Sequence, residues 1–334
     1  MGRALLILAL TVLALPAAAG AAPYTAPAGK VLWGGQGGYS AGHIQDFGRQ
    51  SGKAPAVYNY FISWSTQDPE LRWLRGRVED ALGLGASPML SISTEGTGLS
   101  PRDLARGGGD RFLVALTRLL AEYDRPAYLR PLSEMNNGNN VYAPYDLSGR
   151  SRGPAFSTTR FRDAWRRTAI IVRGGAVGDM NARLRRLGMP PVRTGDAALP
   201  RPRVALMWVP LSFGNPEIPR NHPVHFWPGA RHVDWVGTTW YSPYRASSAM
   251  HSFYSHPAWD DKPFAFAEWG VWGAESPSFV GQFFGFLRSH ARVRMAVYYQ
   301  SGTMKPEFRL SSHPASRAAL RRAVRWPRPA GASL

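Results

Sequence analysis

Eight short apolar runs recur along the chain, each bounded by glycine, proline or polar residues: KVLWGG, AVYNYFISW, SPMLSIST, AYLRPLSE, RVALMWVP, HVDWVGTTWY, PFAFAEWG and VRMAVYYQSG. Each has the length of a strand. Most lack the regular polar alternation of a sheet with one wet face, which suits strands buried on both sides. Several are separated by segments with helical spacing, as in Leu71, Leu74, Val78 and Leu82, then Phe112, Leu116, Leu119 and Leu120, and later Phe279, Phe283 and Leu287. Strands alternating with amphipathic helices predict a parallel sheet covered by helices. Eight repeats of the unit predict an α/β chain closed into a (β/α)8 TIM barrel.

The first residues place Arg3 before an apolar run from Ala4 to Leu15 and then small residues, the pattern of a secretory leader cut between Ala19 and Ala22. The sequence thus predicts a signal peptide over residues 1–22 and a single domain over 23–334. The expected product is a secreted, extracellular monomer with no membrane anchor after cleavage. The chain has no cysteine, so its stability must come from a large core rather than from disulfides.

A formal charge of +18 raises the question of nucleic acid, because clustered cations bind phosphate by releasing counterions. The arginines are scattered through LRWLRGRVED, FRDAWRRTA and ARLRRLG, on what would be polar helix faces. The expectation is a solvated basic surface and no nucleic-acid partner. An affinity for acidic polymers or anionic cell surfaces is the alternative.

Two further motifs carry little. GYSAG, residues 38–42, has the spacing of a nucleophile elbow, but too little mature chain precedes Ser40 to build the earlier strands and oxyanion loop of that fold. It reads as a glycine-rich loop after the first strand. His222, His225, His232, His251 and His256 fall in one region without metal-ligand spacing, so neither metal nor cofactor is expected. The regular spacing of elements breaks twice. Residues 136–157 form a long polar loop after the fourth strand, on the side where barrel enzymes build their sites, and GMPPVRTGDAALPRPR reads as a connection into the fifth.

The carboxylates are more informative. Glu134 ends the fourth apolar run and Glu268 the seventh, so a barrel would bring both to one rim. Ending two apolar strands with glutamates is costly unless a site uses them. Cleaving a glycosidic bond with retention needs such a pair about 5 Å apart, one acid to protonate the leaving oxygen and one carboxylate to attack the anomeric carbon. Trp64, Trp208, Trp240, Tyr241, Trp269 and Trp272 are rim candidates for flat platforms under sugar rings. Asn136 and Tyr142, just beyond Glu134, join Arg130 as candidates for orienting or binding substrate.

At these residues the chain resembles the retaining β-glycosidases built on (β/α)8 barrels, and most closely glycoside hydrolase family 26, the β-mannanase family. LRPLSEMNNG is similar to that family's R-P-x-H-E-M-N stretch, ALMWVP to its V-W-S-P, FWPGARHVDWVGTTWY to its Y-P-G-D-x-Y-V-D-W-x-G, and KPFAFAEWG to its K-P-x-x-x-A-E-x-G. The resemblance implies that Glu134 is the acid/base, Glu268 the nucleophile, Tyr241 the hydroxyl that orients the nucleophile, and Arg130 a buried partner. It implies a polysaccharide or oligosaccharide substrate, β-1,4-mannan first. Three departures bear on that preference: Ser133 replaces the usual histidine, Thr239 replaces a common aspartate, and the tryptophan expected in NNGNNVYAPYD is missing, Tyr142 being the nearest aromatic. Mixed-linkage glucan and xylan are the alternative substrates. A non-catalytic carbohydrate-binding barrel and a basic adhesin are the rival functions.

Overall fold

In a computed structural model of the protein, which describes residues 24–65, 71–244 and 248–325, eight strands close into a parallel barrel. They are β1 (Leu32–Gln36), β2 (Val57–Ser63), β3 (Ser87–Ser93), β4 (Ala127–Pro131), β5 (Val204–Trp208), β6 (Trp235–Tyr241), β7 (Phe264–Gly270) and β8 (Val293–Tyr299). Each pairs with its sequence neighbours, and β8 closes on β1 through Leu32 opposite Met295 and Gln36 opposite Tyr299. The proposed leader lies outside the described residues. Among those described, no helix is long and apolar enough to cross a membrane.

The continuous apolar runs have a direct cause in this closure. Leu32, Val57, Met89, Tyr128, Met207, Trp235, Ala265 and Met295 fill the barrel axis, while alternate residues of the same strands pack outward under the helices. The helices are α1 (Ala41–Ser51), α2 (Arg72–Gly83), α3 (Pro101–Ala105), α4 (Asp110–Leu120), α5 (Thr158–Val172), α6 (Val177–Arg186), α7 (Ser248–Tyr254), α8 (Pro277–Ser289) and α9 (Pro314–Ala323). Leu74 and Val78 of α2, Phe112, Leu116, Leu119 and Leu120 of α4, and Phe279, Phe283 and Leu287 of α8 are buried, as their spacing predicts.

The repeat is imperfect in two places. Between β5 and β6 the described chain makes three short 3-10 turns, Pro219–Asn221, Pro223–Phe226 and Ala230–His232, in place of an α-helix. Pro210, Pro216, Pro219, Pro223 and Pro228 account for this, since each lacks the N–H a helix interior needs. The run read as mere connection before β5 also contains Ala198–Leu199, which pairs antiparallel with Gly175–Ala176.

Three arginines fasten one of these irregular segments. Arg162, Arg166 and Arg173, along α5, donate to the carbonyls of His225, Pro228 and Arg231 and so strap the proline-rich turns to the barrel wall. Arg167 is buried and paired with Asp110. These four arginines are thus engaged by backbone oxygens and a carboxylate within the fold.

Candidate active site

Glu268 lies within β7, where the pairing with β6 slips by one residue between Thr238 and Thr239, so that Thr239 stands opposite Glu268. The irregularity turns the carboxylate into the barrel mouth. It is 7% exposed, and both its oxygens meet donors: Oε1 accepts from Arg130 Nη1, and Oε2 accepts from the Tyr241 hydroxyl at 2.6 Å. Arg130 itself is fully buried in β4. Burial works against its charge, but the Glu268 and Glu134 carboxylates outweigh that and hold the guanidinium pKa above its ordinary value. Burial and the same two carboxylates push the Tyr241 phenol well above its usual range, so it stays a donor.

Glu134 was expected to end the fourth strand. It instead sits three residues past Pro131, in a tight turn where both Leu132 and Glu134 have φ of +50°, a left-handed conformation uncommon for such side chains. Such strain persists only when its surroundings over-determine it. Here they do. Leu132 N donates to Ile92 O at 2.8 Å and Glu134 N to Val209 O at 2.7 Å, while the Asn140 amide donates to Glu134 O at 2.8 Å.

The Glu134 carboxyl is half-buried and accepts from Asn137 Nδ2 at 3.0 Å. Burial first, and then the negative charge of Glu268, raise its pKa above the ordinary carboxylic value; Arg130 and hydrogen bonds from Asn137 and Thr239 oppose the rise only in part. The two glutamates thus share one pocket, and one of them is biased toward the acid form by its surroundings.

That pocket, about 400 Å³, is bordered by Glu134 and Asn137 on one side and by Glu268, Tyr241, Tyr299, Trp272 and Phe308 on the other. The aromatic side is a packed wall, with Tyr241 edge-on to Trp272 at 5.9 Å and to Tyr299 at 5.6 Å, and Trp272 against Phe308 at 5.2 Å. Trp272 remains 38% exposed and Tyr244 51%.

Most of the expected platforms are elsewhere. Trp64 packs on Phe112 with its indole N–H on Gly109 O, Trp208 packs among Trp227, Phe253 and Trp259, and Trp269 stacks on Phe283 at 3.6 Å. All three are buried. The two-residue period of a strand explains Trp208, which follows inward Met207 and so faces the helices, whereas Trp269 would follow Ala265 and Ala267 inward but for the slip in register that turns Glu268 in and Trp269 out. Trp240 borders the pocket but is only 2% exposed, is wedged against Phe266, Phe279 and Phe286, and donates to Tyr244 O.

Asn136 and Tyr142 also serve the scaffold. Asn136 exchanges hydrogen bonds with Leu211, donating to its carbonyl at 3.0 Å and accepting from its N–H at 2.9 Å, and Tyr142 donates to Ser133 O at 2.6 Å. Both clamp the strained turn that presents Glu134.

Tyr299, Phe308, Asn137 and Phe213 line the pocket but escaped the sequence reading. Tyr299 had a usable signal, since it ends the eighth apolar run as Tyr241 ends the sixth. Phe308 and Phe213 lie in loops with no periodicity to place them. Ser40 stands at the start of α1, its hydroxyl 2.7 Å from His43 Nδ1, on an exposed surface outside this pocket.

A parallel eight-stranded barrel with two carboxylates and an aromatic wall at the C-terminal mouth defines the structural class. Solved structures of the same fold include a mannanase from Bacillus subtilis, 16% identical, covering 91% of this chain and 87% of its own with a TM-score of 0.57. A family 26 β-mannanase from Bacteroides ovatus is 17% identical, with coverage of 90% and 89% and a TM-score of 0.57. A glycoside hydrolase family 26 structure from Muricauda sp. is 16% identical, with coverage of 90% and 91% and a TM-score of 0.58. No family model matches the sequence, and no curated protein does.

Proposed function

We propose that the protein is an exported, retaining endo-β-glycosidase that hydrolyses a neutral β-linked polysaccharide, with β-1,4-mannan the leading substrate. The observation that carries the reading is the unequal pair: Glu268 held by Arg130 and Tyr241, and Glu134, in the same pocket, pushed toward its protonated form.

In the first step a Glu268 oxygen attacks the anomeric carbon as the glycosidic C–O bond breaks. The departing oxygen keeps the electron pair and takes the Glu134 proton. Glu134, now a carboxylate, then removes a proton from water, whose oxygen attacks the same carbon and releases Glu268. Two inversions give retention, and both glutamates return to their starting states. The Tyr241 hydroxyl keeps the attacking oxygen oriented throughout, a contribution of positioning rather than of proton transfer.

A neutral substrate suits the pocket's charge. Among the described residues, those bordering the pocket include two glutamates and no lysine or arginine, so a uronic acid or phosphate would meet repulsion from the two carboxyl groups. The exposed Trp272 face offers the flat apolar contact that a pyranose ring accepts. Mannan leads because the sequence stretches around both glutamates are similar to those of family 26, and β-mannanases of that family are among the structures that share the fold.

Assaying the purified protein for reducing ends on β-mannan, mixed-linkage glucan and xylan tests the proposal. Release of oligosaccharides from mannan is expected. Cleavage of glucan or xylan alone would replace the substrate, and tight binding to mannan without any cleavage would favour a carbohydrate-binding barrel.

A further inference from the structure

Beneath the pocket, three buried polar side chains of β2, β3 and β4 lie side by side. Asn59 and Arg130 are fully buried and Ser91 is 2% exposed. Ser91 stands directly opposite Arg130 in the β3–β4 register. The Ser91 hydroxyl donates to Asn59 Oδ1 at 2.8 Å, and Arg130 Nη1 donates to Ser91 Oγ at 3.4 Å and to Glu268 Oε1.

The direction of these bonds is forced. A serine hydroxyl has one proton and two lone pairs, and a guanidinium can only donate. If the Ser91 proton pointed at Arg130, two donors would face each other. With Asn59 Oδ1 taking that proton, a lone pair of Ser91 is left for Nη1. Turning the Asn59 amide over would put its NH2 on one Ser91 lone pair and Nη1 on the other, leaving the hydroxyl proton without an acceptor in this cluster. Among the described residues Arg130 Nε and Nη2 have no partner, so there Nη1 alone fixes the guanidinium, and its acceptors are the proposed nucleophile Glu268 and Ser91.

From this geometry we infer that Asn59 and Ser91 are positioning residues, a relay that orients Arg130 and through it the Glu268 carboxylate. The inference rests on the glycosidase reading for its catalytic meaning, but the relay can be tested without it. Burying three polar groups between apolar strands is costly, the more so because Asn59 Nδ2 and Arg130 Nε and Nη2 find no partner among the described residues, and the chain they form ends on the proposed nucleophile.

The relay makes an ordered set of expectations. Ser91→Ala removes the lone pair facing Arg130; kcat should fall about 10-fold with KM little changed, the size expected for losing one hydrogen bond that aligns a reacting group. The loss should be equal on an activated aryl glycoside, where a defect of the general acid would be masked. Asn59→Ala should cost less, and because Asn59 acts through Ser91, the double variant should be no slower than Ser91→Ala alone. Ser91→Thr, which keeps the hydroxyl, should restore most of the rate.

A direct readout comes from carbon NMR of glutamate-labelled protein, with the Glu268 carboxyl assigned through Glu268→Gln. At a fixed neutral pH its chemical shift should move in Ser91→Ala and return toward the wild-type value in Ser91→Thr, because a loosened guanidinium changes the hydrogen bond that the carboxylate accepts. An unchanged shift, or additive losses in the double variant, overturns the relay. Should the wild-type protein cleave no β-glycan, the glycosidase reading falls, and the carboxyl shift alone decides whether the relay stands.

Discussion

Tyr241→Phe isolates the hydroxyl that holds the proposed nucleophile. The hydroxyl donates to Glu268 Oε2 at 2.6 Å, and the ring touches Trp272, Tyr299 and Phe308 edge-on, so phenylalanine removes the bond while keeping the aromatic wall. A hydrogen bond to a charged group is worth about 1.5–3 kcal/mol, which corresponds to roughly 10- to 100-fold in kcat if the bond is needed to keep Glu268 on line. Arg130 still holds the other oxygen, so activity should fall rather than vanish. Thermal stability should change little, because the substitution leaves a flexible carboxylate at the pocket edge rather than a cavity. The assay is kcat and KM on the cleaved polysaccharide beside a melting curve. An unaltered kcat in a normally folded variant would remove Tyr241 from the mechanism.

Other perturbations test separate parts of the account. Because burial and the Glu268 charge raise the Glu134 pKa above 4.5, the alkaline limb of kcat/KM should lie well above that value, and Asn137→Ala, which removes a donor to the ionised form, should move it higher still. The same shift fixes a sign for stability: a raised carboxyl pKa favours the folded state below the unfolded pKa, and that contribution is lost as pH rises through the folded one. Glu134→Gln should therefore melt above wild type at neutral pH and converge with it near pH 4 or below, a difference readable by calorimetry. Trp208→Ala should cost about 3–5 kcal/mol of stability as a cavity in the outer core, whereas Trp272→Ala should raise KM about 3- to 10-fold and leave the melting temperature nearly unchanged. Binding to duplex DNA should be weak and lost by moderate salt, and sub-micromolar binding at physiological salt would contradict a merely solvated basic surface.

The barrel was legible because its signal is local and repeated. Strands such as Phe264–Gly270 are apolar on both faces for the reason that both faces are buried, and Phe279, Phe283 and Leu287 show their helix without outside help. The two glutamates that share the pocket were legible because a carboxylate at the end of an apolar run is costly and therefore conspicuous. Facing was harder. Trp208 and Trp269 are as prominent in the sequence as Trp272, and the register that turns them toward the helices is set by inward neighbours such as Met207 and Glu268. The turn that carries Glu134 was invisible for another reason. Its left-handed residues are Leu132 and Glu134, neither of which advertises such a conformation, and the clamps that impose it come from Ile92, Val209 and Asn140. The missing helix between β5 and β6 was not anticipated either, although five prolines there were a usable signal for it.

The central claim is the division of labour between the two glutamates, and the stereochemistry of azide rescue tests it most directly. Glu134→Ala should still be glycosylated by an activated aryl glycoside, with azide then attacking the covalent intermediate to yield a β-glycosyl azide. Glu268→Ala lacks the nucleophile, so azide can enter only from the opposite face and yield the α-azide. Proton NMR of the two products distinguishes them. The account expects the β-azide from the Glu134 variant and the α-azide from the Glu268 variant. The opposite pairing would reverse the two roles, and wild-type activity in both variants would contradict the glycosidase mechanism altogether.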